Sequence, residues 1–222
     1  MHHIIVALAE SDCEDIGTGW LAQPVNALTS LVFSVVGLIV VAWARGVAGI
    51  ERHVRLGIGI GLIATGIGSF LYHGPQTAGS QFLHDITFLT TLVIVGVANL
   101  RAGLHWSERT MWLVVVAVVA VVSIVLVASP AITNGFTGLS IALIVAGDIA
   151  VRRNGAIDMR SYWAAIGLLV LALVFFVLGR SGQWLCDPDS LFRGHGLWHV
   201  FSGLAVAAYA VATSPARMGP QR

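Results

Sequence analysis

Long apolar stretches broken by short polar ones repeat along the whole chain, and seven of them are long enough to cross a hydrocarbon core of about 30 Å as helices. The pattern predicts helices over 24–44, 56–73, 81–100, 111–128, 132–151, 161–179 and 194–213. Apolar residues run on continuously within each stretch, without the alternation of a lipid-facing strand, which excludes an outer-membrane barrel. In lipid, a helix satisfies its own backbone hydrogen bonds. The expected fold is therefore all-α, a seven-transmembrane-helix bundle forming a single membrane domain over residues 1–222, with no internal repeat or second domain. Ahead of the first helix, a short apolar piece, Ile4–Ala9, is followed by Glu10, Asp12, Glu14 and Asp15. It lacks the basic start and long apolar centre of a signal peptide and is read as part of the mature protein.

Composition sharpens this picture. Apolar residues make up 57% and charged residues only 10%, with a mean hydropathy of +0.86, against about 25% charged residues in a soluble domain. A soluble enzyme is excluded, and no basic cluster exists to bind nucleic acid. All twelve basic residues are arginine. With seven spans, Arg45, Arg52, Arg55, Arg101, Arg109, Arg152, Arg153, Arg160, Arg217 and Arg222 fall on one side of the membrane, and only Arg180 and Arg193 on the other. The positive-inside rule then places the C-terminus in the cytoplasm and the N-terminus outside. Trp20, Trp106, Trp163 and Trp184 fall near span ends, as in an interfacial aromatic belt. Cys13 and Cys186 both lie on the outer side, where disulfides persist. They form either a bridge or two unrelated small apolar positions.

Ionisable residues inside spans are costly and mark a functional site by default. Ser69 and His73 end the second span four residues apart, on one helix face. His195 and His199 open the seventh with the same spacing, and Asp85 opens the third, preceded by His84. All three helix ends lie on the outer side, so these groups can converge in one layer. Three imidazoles with a fourth position open form a familiar zinc site; the alternative is an interfacial polar cluster. Zinc lowers the pKa of water to about 7, Asp85 is placed to take the proton and Ser69 to polarise a carbonyl, so the constellation describes a hydrolase. His84 lies about 100° around the helix from Asp85 and is read as turned away from that point. Asn26 and Ser30, four apart in the first span, either glue helices together or orient the metal shell, with glue favoured. Asp148 and Arg152 are read as a simple ion pair, and the glycines of Gly57-Ile-Gly-Ile-Gly61 as sites of close helix packing.

At these residues the sequence resembles the alkaline ceramidase family and the wider superfamily of seven-span metal-dependent hydrolases that includes adiponectin-type receptors and Per1-like proteins. Ser69-x-x-x-His73 is similar to the second-span motif, Asp85 to the third-span aspartate that contacts the zinc-bound water, and His195-x-x-x-His199, with Trp198 and Gly203, to the seventh-span ligand pair. The resemblance implies zinc held by His73, His195 and His199, with Asp85 and Ser69 catalytic. Cys13-Glu14 followed by Gln23-Pro-Val-Asn26 is similar to the ceramidase pattern of Cys-Glu followed by Glu-x-x-Asn. There it implies a Cys13–Cys186 disulfide and a second site, for calcium, around Asp12, Glu14, Gln23 and Asn26. Gln23 stands where that pattern has glutamate, and the Trp and Asn expected around Cys13-Glu14 are absent, so this chain departs from the calcium pattern. A slightly longer connection from His73 to Asp85 points to a bacterial relative.

The expectation is an integral-membrane zinc hydrolase of a bacterial cell membrane, an amidase cleaving the N-acyl bond of ceramide-like lipids. Its site faces outward and the lipid reaches it laterally from the outer leaflet. The rivals are a seven-helix receptor or sensor with a structural zinc, and a lipid esterase or phospholipase of the same superfamily. A haem-binding electron carrier ranks lower. A transporter would show broken spans and charges at midplane, and the sequence has neither.

Overall fold

The computed structural model describes residues 12–129, 132–154 and 157–218; the Ile4–Ala9 piece, Glu10 and Arg222 lie outside the described residues. The described residues form seven long helices: α1 Pro24–Trp43, α2 Gly49–His73, α3 Ser80–Leu104, α4 Glu108–Ala128, α5 Thr133–Asn154, α6 Met159–Leu178 and α7 Gly194–Met218. Each contains a window long and apolar enough to cross a membrane, so this is an all-helical, integral multi-pass membrane protein.

Local chemistry sets the helix ends. Pro24 opens α1, where its missing N–H costs nothing. The Glu14 carboxylate, ten residues upstream, accepts from the next two backbone amides, Val25 and Asn26, at 2.8 and 2.7 Å. The Ser107 hydroxyl accepts from Thr110 N–H at the start of α4, and Asp158 accepts from Arg160 N–H at the start of α6. Gly79, ahead of α3, has a φ of 81°, a conformation that glycine adopts without strain.

Helix α2 begins at Gly49 rather than at 56, because two charges in its first turns neutralise each other. Arg55 Nε donates to Glu51 Oε1 at 3.0 Å, Ser214 of α7 donates to the same oxygen at 2.7 Å, and Arg55 Nη2 donates to Ser214 Oγ. The guanidinium lies 3.3 Å over the Trp43 ring. Both charged side chains are almost fully buried, so a segment that reads as a polar loop is helix packed inside the bundle.

α1 packs against α2 and α7, α2 against α3, α3 against α4 and α5, and α6 against α7. Phe33 and Val40 of α1, Ile58 and Leu62 of α2, Val93 and Val97 of α3, and Met111 of α4 share one apolar core. The three glycines of 57–61 do separate work in it. A Cβ on Gly59 would come within 2.9 Å of the Gly37 carbonyl oxygen of α1, one on Gly57 within 2.7 Å of the Trp112 ring of α4, and one on Gly61 within 2.6 Å of the Thr91 hydroxyl of α3. Gly179 and Gly194, at the end of α6 and the start of α7, are in backbone contact: a Cβ on either would lie 2.4 Å from the other's Cα.

At one end of the bundle the residues preceding α1, the α2–α3 connection and the α6–α7 connection come together. Gln23 N–H donates to the His73 carbonyl at 2.8 Å and Ala22 N–H to that of Gly74 at 2.9 Å. Cys13 and Cys186 form a disulfide, and Cys13 N–H donates to Ser181 Oγ. Trp20, Trp163 and Trp184 are exposed near helix ends, whereas Trp106 packs against the apolar core. Asp148 and Arg152 pair at 2.9 Å as expected, but the carboxylate also accepts from the Tyr209 hydroxyl at 3.2 Å.

Candidate metal centre

The three histidines sit where α2 ends and α7 begins. His73 is the last residue of α2, and its backbone carbonyl is held by the residue before α1. His195 and His199 lie one turn apart at the start of α7, facing the same way. Ring centroids are 4.9 Å apart for His73–His195, 5.3 Å for His73–His199 and 4.6 Å for His195–His199. One ring nitrogen from each lies within 4.8 Å of the others, close enough for a single ion to reach all three.

The hydrogen bonds decide which nitrogens face that point. Gln23 Nε2 donates to the Glu14 carbonyl at 2.7 Å, which leaves Gln23 Oε1 facing His73 Nδ1, also at 2.7 Å. An amide oxygen only accepts, so His73 carries its proton on Nδ1 and a lone pair on Nε2. His199 Nδ1 lies 3.2 Å from Thr29 Oγ1 and 3.4 Å from Ser30 Oγ. Those hydroxyls donate to the Val25 and Asn26 carbonyls and so accept from the ring. Asp12 Oδ1 is 3.4 Å from His195 Nδ1.

Nε2 of His73, His195 and His199 is buried in each case with no protein partner. An unsatisfied buried polar atom costs about 1–3 kcal/mol, and three converging on one volume are accounted for by a shared ligand. A metal-bound histidine normally donates its second nitrogen to an oxygen that fixes the ring; Gln23 does this for His73, and Thr29 with Ser30 for His199. The residues therefore fit a nitrogen-preferring divalent ion.

The remaining site residues surround the triad. Ser69, one turn before His73, is buried and shares a 2.8 Å hydrogen bond with Ser30, so Ser30 joins α1 to α2 and also braces His199. Asp85 accepts from Thr133 Oγ1 at 2.9 Å and pairs with His84 Nδ1 at 2.8 Å. It does not offer an oxygen to the imidazole cluster. His84 departs from expectation: its ring stands 4.9 Å from Tyr72 and 6.1 Å from His73. The step of about 100° separates two Cα–Cβ directions, but long side chains at the mouth of a helix curl back, and His84 bonds its neighbour. Thr133, from the start of α5, carried no signal in the sequence because its partner lies 48 residues away, with α4 between them.

The residues proposed for calcium do not compose a calcium site. Calcium takes 6–8 oxygens, and here the side-chain oxygens of Glu14 and Gln23 are taken by protein donors. Glu14 binds two backbone amides and forms an ion pair with Arg193. Gln23 Oε1 faces His73, Asp12 faces His195, and Asn26 Oδ1 alone is without a partner.

Seven helices long and apolar enough to cross a membrane, with three buried imidazoles gathered at one end, define a polytopic membrane protein whose histidines could hold a metal ion. The Ceramidase family model matches residues 13–221, and the chain belongs to that family. Membership implies a membrane-embedded hydrolase acting on ceramide. No curated protein matches the chain.

Proposed function

We propose that this chain is a zinc-dependent amidase that hydrolyses the N-acyl bond of ceramide-like lipids, releasing a fatty acid and the amine of the long-chain base. The observation that carries the reading is the convergence of three buried imidazoles, each with an unpartnered Nε2, so that one ring nitrogen of each lies within 4.8 Å of the others. Three nitrogen donors favour zinc over magnesium or calcium, and the only two cysteines of the chain are bonded to each other. When bound, zinc supplies Lewis acidity and lowers the pKa of water to about 7.

The protein groups supply the rest. Thr133 and His84 present the Asp85 carboxylate from opposite oxygens, so it stands ready to take the proton of the attacking water and pass it to the leaving amine. The Ser69 hydroxyl, beside His73, donates to Ser30 because the Ser30 proton is on the Asn26 carbonyl; by rotating out of that bond it donates to the scissile carbonyl oxygen as charge develops there. Arginine placement supports a single membrane domain with its C-terminus in the cytoplasm and the site near the outer leaflet, where a lipid reaches it laterally.

Metal content tests the reading: about one zinc per chain in purified wild type, lost in a folded His195→Ala/His199→Ala variant, with wild type hydrolysing a short-chain ceramide. Zinc with turnover of lipid esters alone would reassign the bond cleaved. Zinc with no turnover of any lipid amide or ester would make the centre structural, as in a receptor.

A further inference from the structure

The Glu14 carboxylate lies almost wholly inside the protein, and the charge that answers it is a side chain. Arg193 Nη1 pairs with Glu14 Oε1; the two side chains are 10% and 2% exposed. Arg193 Nη2 also donates to the Pro188 carbonyl, which holds the guanidinium from the loop side. Arg193 immediately precedes α7, and its carbonyl accepts the helix's first backbone bond, from Leu197 N–H at 3.0 Å.

From Glu14 the connections run to the metal centre along a second path. Its carboxylate caps α1, and its backbone carbonyl accepts from Gln23 Nε2 at 2.7 Å, which aims Gln23 Oε1 at His73 Nδ1. One ion pair therefore joins the helix bearing His195 and His199 to the group that orients His73.

We infer that Arg193 is a resident side-chain cation standing where the resemblance assigns calcium, and that it acts as a positioning residue for the histidine triad. An ion bound to Glu14 Oε1 would have to displace the guanidinium or sit against it, and like charges in a low-dielectric interior repel strongly. A fixed guanidinium neutralises the carboxylate without oxygen ligands, leaving Gln23 and Asp12 to face histidines. The calcium half of this inference is independent of the proposed function; the positioning half rests on the triad binding zinc.

Equilibrium binding of radioactive calcium to the purified full chain, with thermal melting in detergent, tests the first half without any variant. Wild type should take up no stoichiometric calcium, and its melting temperature should not move when calcium replaces an equal ionic strength of sodium. About one calcium per chain, with a raised melting temperature, would overturn the inference even if zinc is also present. For the second half, folded Arg193→Gln should bind zinc about 10–100-fold more weakly in chelator competition, with Arg193→Lys in between. Wild-type zinc affinity in folded Arg193→Gln would refute the positioning role. Absence of zinc from wild type would instead refute the proposed function, leaving the calcium result to stand.

Discussion

Gln23 and His73 meet through one 2.7 Å hydrogen bond whose direction is set from outside the pair, because the Gln23 amide nitrogen is already donating to Glu14. The proton on His73 is thereby fixed to Nδ1 and the lone pair to Nε2. Gln23→Leu, which cannot accept that proton, should weaken zinc binding about 10–100-fold. Gln23→Glu, which still accepts, should retain most of it. Chelator competition on the two variants measures the difference, and equal affinities would show that the bond does not orient the ring.

Asp85 offers no oxygen to the imidazole cluster, so chemistry and metal retention should separate there. Asp85→Asn should lower turnover of a short-chain ceramide by about 10²–10⁴-fold while leaving zinc content at the wild-type level. Thr133→Val should give a smaller loss, about tenfold, equivalent to one ordinary hydrogen bond. Loss of zinc from Asp85→Asn would move this aspartate into the ligand set.

The buried pair of Glu51 and Arg55 makes a prediction about stability at the opposite end of the bundle. Arg55→Ala leaves Glu51 buried without its cation, at a cost of about 3–5 kcal/mol, and should lower the melting temperature in detergent sharply. The double variant Glu51→Leu/Arg55→Met should recover much of that loss, since apolar residues of similar size need no pairing. A double variant no better than Arg55→Ala would show that Ser214 and Trp43 depend on the charges themselves.

The Cys13–Cys186 bond spans 173 residues of sequence. A loop of that size implies up to about 5 kcal/mol in the chain-entropy account of disulfides, an upper bound for a chain whose helices are already confined by lipid. Reduction should change electrophoretic mobility of the wild type but not of Cys13→Ser/Cys186→Ser, and that variant should melt at lower temperature.

Helix number and type were legible in the sequence because continuous apolar runs of this length admit one structure in lipid. The histidine pair of α7 was legible from its spacing of four. What escaped depended on partners distant in sequence. Glu51 and Arg55 read as the end of a loop because their mutual neutralisation, and the Ser214 hydroxyl that completes it, arise only when α2 meets α7. Gln23 read as a departure from a calcium pattern, and its use as a hydrogen-bond acceptor for His73 became visible only once α1 and α2 were side by side. Arg193 read as one of two arginines on the outer side; its burial against Glu14 required the α6–α7 loop to fold back over the start of α1.

The backbone contact between Gly179 and Gly194 means that residues 180–193 leave the bundle and return to the same point. Such an excursion can change length and composition without shifting the start of α7, provided Cys186 and Arg193 keep their partners. Trp184, Leu191 and Phe192 stand exposed on it. The histidines below are fixed while the surface above them is free to diverge, so relatives could acquire different lipid headgroup preferences by editing this one loop and leaving the reactive centre untouched.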